Sequence, residues 1–210
     1  MSEDGEPRSK EVPMRLLLIR HGQTHSNVSG ALDTARPGAD LTDLGREQAE
    51  LLVQRLVDEP IDALHASTLV RTQQTIAPLA RARGLDVTIH DGLRELDAGD
   101  LEMNTDDESV ELYIKVAMSW AAGQDDVRMP GGPTGAEAFG RYDRAIADIA
   151  ATGSACAAVV SHGAVIRTWV AARARDVDAD YAAAHPLLNT QIVKLIGDPE
   201  AGWLVEDWGW

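Results

Sequence analysis

Two short apolar segments place the strongest constraint on the fold of this chain. Leu16-Leu-Leu-Ile19 and Cys156-Ala-Ala-Val-Val160 contain no charged side chain, and each is followed, after one further residue, by a His-Gly pair. Continuous apolar runs of this length are typical of strands buried on both faces, as in parallel sheets. We therefore expect both segments inside the sheet of an α/β protein, with the two His-Gly pairs at the carboxyl edge of that sheet.

Helical and strand patterns alternate around these two segments. Pro60 ends the first predicted helix, Gly84 ends the second, and Thr134 with Glu137 forms a capping box at the start of the fourth. The predicted strands cover 16–19, 61–66, 87–89, 156–161, 190–196 and 203–207, and the predicted helices cover 42–57, 69–83, 107–122, 134–151 and 164–175. This order predicts a three-layer α/β/α sandwich with a mainly parallel central sheet.

No repeat or break in composition divides the chain. Residues 1–13 carry charge, Gly and Pro without periodicity and are expected to form a disordered leader. Residues 14–210 are expected to form a single domain with a cap insertion at about 95–133. Three tryptophans near the end, Trp203, Trp208 and Trp210, are expected either to pack along the last strands or to form a contact of a homodimer.

The charge and composition exclude several classes of partner and site. The chain has 34 acidic and 19 basic side chains, a net charge of −15, so neither nucleic acid nor an anionic membrane is an expected partner. No segment has the pattern of a secretory signal or a membrane span, and a cytoplasmic location is expected. One cysteine cannot build a disulfide framework or a cysteine-rich zinc site, and motifs for metal-dependent phosphoryl transfer are absent. Neither a metal nor another cofactor is therefore expected.

The two His-Gly pairs are the first candidates for chemistry. Together with Arg20 they would bring two imidazoles and a guanidinium to one place, where a small anion could bind. A single histidine at a strand end is more often a hydrogen-bonded core residue. On these residues alone the matched pair leaves two alternatives open for His21 and His162, a functional site and a structural role in the core.

Five segments, in order along the chain, resemble the histidine phosphatase superfamily, the phosphoglycerate-mutase-like proteins. They are Arg20-His-Gly-Gln-Thr-His-Ser-Asn27, Leu41-Thr-Asp-Leu-Gly-Arg-Glu-Gln-Ala49, Ala66-Ser-Thr-Leu-Val-Arg-Thr-Gln-Gln-Thr75, Leu93-Arg-Glu95 and Val159-Val-Ser-His-Gly163. The resemblance extends from Arg15 over nearly the whole chain. It implies the phosphoglycerate-mutase-like fold and transfer of a phosphoryl group to a histidine.

The resemblance also implies a role for each matching residue. His21 would attack phosphorus and form a phosphohistidine, and Arg20, Arg71 and His162 would bind the phosphate as a cationic pocket. Further phosphate contacts would come from a group of backbone amides and small polar side chains, namely Gly22, Gln23, Thr24, Asn27 and Gly163.

Glu95 would be the acid that protonates the leaving group, with Asp97 as the next candidate. Eight acidic residues and no Lys or Arg occur between Glu95 and Glu111. Most are expected to face solvent. Such a cluster favours the protonated form of a carboxyl and would repel a substrate that carries a second anionic group.

Two segments depart from the common pattern of the family, Gly99-Asp-Leu-Glu-Met103 and Gly132-Pro-Thr-Gly-Ala-Glu137, and they leave the substrate open. We expect a metal-independent phosphomonoesterase that acts on a small phosphorylated metabolite whose remainder is neutral or cationic. The alternatives are a cofactor-dependent phosphoglycerate mutase and a non-catalytic phosphate-binding module.

Overall fold

The computed structural model describes residues 13–210, so all but the last residue of the expected leader lies outside the described residues. The strands within this range are β1 (Met14–Arg20), β2 (Ala63–Ser67), β3 (Val87–His90), β4 (Cys156–Ser161), β5 (Ile192–Asp198) and β6 (Gly202–Trp208). The helices are α1 (His25–Ser29), α2 (Asp43–Arg55), α3 (Val70–Arg83), α4 (Asp107–Ala121), α5 (Gly135–Ala150), α6 (Gly163–Arg173) and α7 (Ala179–Ala184).

The six strands form one sheet in the order β3-β2-β4-β1-β5-β6. The first four run parallel, whereas β5 pairs antiparallel with β1, and β6 pairs antiparallel with β5. The two apolar segments become β1 and β4, which are neighbours near the middle of the sheet. The mainly parallel sheet predicted from the sequence is confirmed.

Alternate residues of β1 contribute to two different hydrophobic cores. Leu16 and Leu18 pack in a core that includes residues of α4, α5 and α6. Leu17 and Ile19 pack in a second core, which includes residues of α2 and α3. Because successive side chains of a strand point to opposite faces, the sheet has helices on both sides. This is the expected three-layer sandwich.

The helix boundaries follow the signals read from the sequence. The Thr42 side chain accepts a hydrogen bond from the Gly45 backbone N–H at 3.0 Å, which caps α2. Gly84 ends α3 with a φ of 65°, a left-handed conformation that glycine adopts without strain. The Thr134–Glu137 capping box at the start of α5 has both of its hydrogen bonds, at 3.2 and 2.8 Å.

Two short helices, α1 and α7, were not predicted. They contain five and six residues, too few for a hydrophobic periodicity to be visible. A second capping box starts α1: the Thr24 hydroxyl accepts from the Asn27 N–H, and the Asn27 side-chain oxygen accepts from the Thr24 N–H, both at 3.1 Å. None of the helices within residues 13–210 combines the length and the apolar composition that crossing a membrane requires.

The C-terminal tryptophans contact other residues of the same chain. Trp203 is buried, with its ring centroid 6.2 Å from that of Trp169. The Trp208 indole N–H donates to the His185 carbonyl oxygen at 3.2 Å. Lys194 places its ammonium 3.3 Å from the centre of the Trp210 ring. Packing within the chain therefore accounts for these residues, and the homodimer stays a prediction.

Candidate active site

The two histidines of the His-Gly pairs lie side by side at the carboxyl ends of β1 and β4. Arg20 pairs with Ser161 in the register of these strands, so His21 and His162 leave the sheet at the same level. Their ring centroids are 5.2 Å apart, and both side chains are buried. Neighbouring strands are separated by about 4.8 Å, so the pairing of β1 with β4 brings the two histidines close together.

His21 is held as a neutral ring with a defined tautomer. Its Nδ1 lies 2.8 Å from the Gly22 carbonyl oxygen, which can only accept, so Nδ1 carries the proton. Nε2 is then unprotonated and accepts a hydrogen bond from Arg71 Nε at 3.1 Å. Burial, together with the charges of Arg71 and Arg20, lowers the pKa of His21 well below its usual value. At neutral pH Nε2 thus carries a lone pair, which accepts the Arg71 hydrogen bond in this structure.

His162 has the opposite tautomer. Its Nδ1 accepts from Arg71 Nε at 3.3 Å, and its Nε2 donates to the Ser67 hydroxyl at 2.7 Å. Burial, followed by the charge of Arg71, lowers the pKa of His162 well below its usual value. One guanidinium N–H of Arg71 is therefore shared by both imidazoles.

Arg71 lies at the start of α3 and is fixed by a residue that the sequence analysis missed. Its NH2 donates to the Asp33 carbonyl oxygen at 2.8 Å, and its NH1 lies 3.6 Å from the Asp33 carboxylate. The same carboxylate accepts from the Ser26 hydroxyl at 2.8 Å and from the Ala39 N–H at 2.9 Å. Asp33 lies in an irregular loop after α1, where no sequence pattern marks it.

Arg20 is the last residue of β1 and packs beside the start of α6. Its NH1 donates to the Leu187 carbonyl oxygen at 2.6 Å, and its Nε is buried without a hydrogen-bond partner. A Cβ atom at Gly163 would lie 3.1 Å from this Nε, so glycine leaves room for the guanidinium. Arg71 NH1 is also buried without a hydrogen-bond partner. Two cationic side chains thus each keep an unused donor at this site.

Glu95 accepts hydrogen bonds from the first turn of α6. Its carboxylate oxygens lie 3.1 Å from the Ala164 N–H and 2.8 Å from the Val165 N–H. Arg141 holds the backbone of Glu95 itself by donating to the Glu95 carbonyl oxygen at 2.9 Å. The alternative acid, Asp97, lies outside the cavity, where it pairs with Arg94 at 3.1 Å.

These groups surround a cavity of about 260 Å³. Most of the residues expected at the site line it, namely Arg20, His21, Thr24, Asn27, Arg71, Glu95 and Gly163. His162 does not line it but contacts Arg71. Asn189, another residue missed from the sequence, donates to the His21 carbonyl oxygen and to Asn27 Oδ1, both at 3.0 Å.

Gly22 and Gln23 are not brought to the cavity, contrary to expectation. The Gly22 N–H donates to the Thr75 hydroxyl and the Gln23 N–H donates to the Gln48 side chain, both at 2.9 Å. Glycine at position 22 has a packing reason, because a Cβ there would lie 2.6 Å from the Gly45 carbonyl oxygen. Both backbone amides are therefore committed to the fold.

The acidic run from Glu95 to Glu111 does not surround the cavity, which only Glu95 lines. The Glu102 carboxylate accepts from the Thr34 and Ala35 N–H groups, and the Asp106 carboxylate caps α4 by accepting from the Ser109 N–H. A third cation, Arg167, lines the cavity instead. The other members of the run hold loops and helix ends or face solvent, and the repulsion of a second anionic group by this run stays a prediction.

The described part of the chain contains no group of three or more His, Cys, Asp or Glu side chains that could hold a metal ion. The site is instead built from two neutral imidazoles, two guanidinium groups with unused donors, and two carboxylates. Such a set can bind an oxyanion and offers a nucleophilic nitrogen next to it.

Residues 16–210 match the family described as "Histidine phosphatase superfamily (branch 1)". The chain is 32% identical over 207 residues to the PE-PGRS family protein PE_PGRS11 of Mycobacterium tuberculosis (strain ATCC 25618 / H37Rv), a match that covers 91% of this chain and 35% of that protein. The chain therefore spans about a third of the length of this relative.

Another relative and a solved structure match over nearly their whole lengths. The chain is 30% identical over 196 residues to the protein named "Probable phosphoglycerate mutase GpmB" of Enterobacter sp. (strain 638), covering 93% of this chain and 90% of that protein. The structure of a mycobacterial glucosyl-3-phosphoglycerate phosphatase is similar with a TM-score of 0.77 at 25% identity. That match covers 94% of this chain and 99% of the other.

Proposed function

The chain belongs to the histidine phosphatase superfamily, branch 1, and we propose that it is a metal-independent phosphomonoesterase that works through a phosphohistidine. The observation that carries this proposal is the state of His21. Its Nε2 is unprotonated and accepts a hydrogen bond from Arg71, and His21 lines a cavity that two arginines also line. A neutral imidazole is a competent nucleophile near pH 7.

The phosphate would bind between the two arginines. Arg20 and Arg71 both line the cavity, and their guanidinium groups would donate to the phosphate oxygens. Thr24, Asn27 and Gly163 line the same cavity and would supply further contacts. In the transition state these fixed charges would compensate the negative charge on the phosphoryl oxygens, which is the main catalytic contribution in such transfers. His162 would keep Arg71 oriented by accepting a hydrogen bond from its Nε.

The reaction would proceed in two steps. In the first, the His21 Nε2–P bond forms, the P–O bond to the leaving group breaks, and Glu95 gives its proton to the leaving oxygen. In the second, Glu95 takes a proton from water, the resulting hydroxide forms a bond to phosphorus, and the Nε2–P bond breaks to release inorganic phosphate. The two N–H contacts of α6 would hold the Glu95 side chain in place at the cavity.

Hydrolysis is favoured over a mutase reaction by the remainder of the cavity. A mutase must hold a second anionic group of the phosphorylated acid, which calls for further cations. Beyond Arg20 and Arg71 the lining offers one cation, Arg167, and two of its nitrogens already donate to the Ala182 carbonyl oxygen. The similarity to a solved phosphatase supports the same choice, although one relative carries the name of a mutase.

Trapping the phosphoenzyme tests the proposal. The protein is incubated with 32P-labelled phosphomonoester in EDTA and quenched, and the label on the protein is measured for wild type, His21→Asn and His25→Asn. We expect alkali-stable, acid-labile label and turnover in wild type and in His25→Asn, whose side chain is exposed at the start of α1. His21→Asn should lose both by at least about a thousandfold. Equal activity in His21→Asn, or activity that disappears with EDTA, would contradict the proposal. A wild type that binds phosphate without turnover would be the non-catalytic module.

A further inference from the structure

Outside the expected phosphate contacts, the cavity lining has an apolar part and a polar part. The hydroxyls of the polar part are already engaged: Ser26 donates to Asp33, Thr34 to Glu102 and Tyr113 to the Leu96 carbonyl oxygen. The apolar part is continuous with the phosphate end. It consists of Ala31, Leu32, Ile114, Pro186, Leu187 and Leu188, which we call the apolar wall. The wall comes from three separate parts of the chain: the loop after α1, the middle of α4 and the segment after α7. Side chains so distant in sequence meet at the cavity only through the fold.

Backbone hydrogen bonds keep the apolar wall in place next to the phosphate end. Leu32 exchanges two of them, donating to the Asn104 carbonyl oxygen and accepting from the Met103 N–H, both at 3.1 Å. The Leu187 carbonyl oxygen accepts from Arg20 NH1 at 2.6 Å, and the Leu188 N–H donates to the Gln191 side chain at 2.7 Å. The wall is thus preformed, and Arg20 joins it directly to the expected phosphate site.

An apolar leaving group would gain binding free energy by burying the exposed surface of this wall. Leu188 is 63% exposed, and Leu32 and Ile114 are only partly buried. Exposed leucines are common singly, but here they share a concave site with other apolar side chains. The charged groups nearby are already paired: Asp33 with Arg71, Glu95 with the start of α6, and Arg167 with α7.

We propose that the apolar wall is the leaving-group subsite, and that the preferred substrates are phosphomonoesters of small apolar alcohols or phenols rather than of polyhydroxylated or acidic ones. This inference rests on the proposed function, because it assigns the phosphate to the cationic part of the same cavity. The cavity volume of about 260 Å³ lies below the range of about 300–1,000 Å³ for sites that enclose drug-sized ligands. A chain or ring of about six carbons therefore suits it.

A series of primary alkyl esters tests the subsite, since their leaving groups have nearly the same basicity. We expect kcat/KM to rise about threefold per methylene from methyl through propyl to hexyl phosphate. Glycerol 1-phosphate is propyl phosphate with two added hydroxyls, and 3-phosphoglycerate also carries a carboxylate. Both should be at least about tenfold poorer than propyl phosphate, because the wall offers these groups no partners.

Binding of alkylphosphonates, measured by calorimetry, gives a second readout that does not require turnover. The dissociation constant should fall about threefold per methylene from methyl- to hexylphosphonate. Leu188→Asn should weaken hexylphosphonate several-fold and leave methylphosphonate unchanged. Leu51→Asn, at a leucine of α2 that is 54% exposed and lies away from the cavity, should change neither.

The two readouts separate failure of the subsite from failure of the proposed function. Two results would overturn the subsite and leave the proposed phosphatase activity standing. One is a kcat/KM and a dissociation constant that do not change with alkyl chain length, and the other is a preference for glycerol 1-phosphate or 3-phosphoglycerate over propyl phosphate. Phosphonate binding that follows the expected series without hydrolysis of any ester would support the subsite and overturn the phosphatase.

Discussion

Arg71 Nε lies 3.1 Å from His21 Nε2, the ring nitrogen that the Gly22 contact leaves without a proton. A cation next to an imidazole opposes protonation of the ring, and burial acts in the same direction. The arginine that would bind phosphate therefore also keeps the expected nucleophile in its reactive form.

The ionisation of His21 can be followed directly. Because burial, Arg71 and Arg20 lower its pKa, its ring should stay neutral, with the proton on Nδ1, as the pH falls through the usual histidine pKa of about 6.5. Imidazole 15N NMR, with the His21 signals assigned from their loss in His21→Asn, measures this. A His21 ring that titrates near pH 6.5 would contradict the assignment.

Glu95→Gln should lower kcat/KM most for esters with poor leaving groups. Loss of the proton donor is expected to cost a factor of about a hundred or more on an alkyl phosphate and far less on p-nitrophenyl phosphate, whose leaving group needs no proton. The measurement is kcat/KM on both substrates. Asp97→Asn is the matched control and should be close to wild type, because Asp97 pairs with Arg94 outside the cavity. Similar losses on both substrates in Glu95→Gln would argue against an acid role.

Asp33→Asn should destabilise the protein by about 3 kcal/mol, because it leaves the buried charge of Arg71 without its carboxylate. Inorganic phosphate should restore more stability to the variant than it adds to wild type, since an anion in the cavity replaces the lost charge. Urea denaturation with and without phosphate measures both effects. The control is Asp40→Asn, an exposed aspartate of the same loop that accepts from the Gln74 amide. An equal gain from phosphate in all three proteins would contradict the charge argument.

Acid should weaken the fold partly through His65, which is buried on β2 next to His90. Burial, with a smaller contribution from His90, lowers the pKa of His65 to about 4. Between pH 6.5 and 4 the unfolded chain binds a proton there that the folded chain does not, so the stabilisation present above pH 6.5 is lost as the pH falls through this window. The free energy of unfolding of His65→Gln should therefore depend less steeply on pH between 7 and 5. An unchanged slope in urea denaturation would contradict this.

Elements with local signals could be predicted from the sequence. The aliphatic runs of β1 and β4, the Gly84 helix end and the Thr134 capping box each depend on residues within one segment. The five-residue α1 gave no such signal, because one turn and a half is too short for a repeat to show.

The parts of the site that the sequence did not reveal depend on contacts between distant segments. Asp33 reaches Arg71 across 38 positions, and Asn189 reaches His21 across 168. The predicted phosphate contact of Gly22 is missing for a related reason, because its backbone N–H donates to the Thr75 hydroxyl on α3. Spacing within one motif carries no information about such partners.

The pairing of β1 with β4 also limits how this site can change. Because the Arg20–Ser161 register brings His21 and His162 to the same edge of the sheet, their closeness depends on strand pairing. Deleting one residue from either strand would shift this register, whereas substitutions in the apolar wall would leave it intact. Redesign of substrate choice can therefore alter the apolar wall while the two imidazoles stay together.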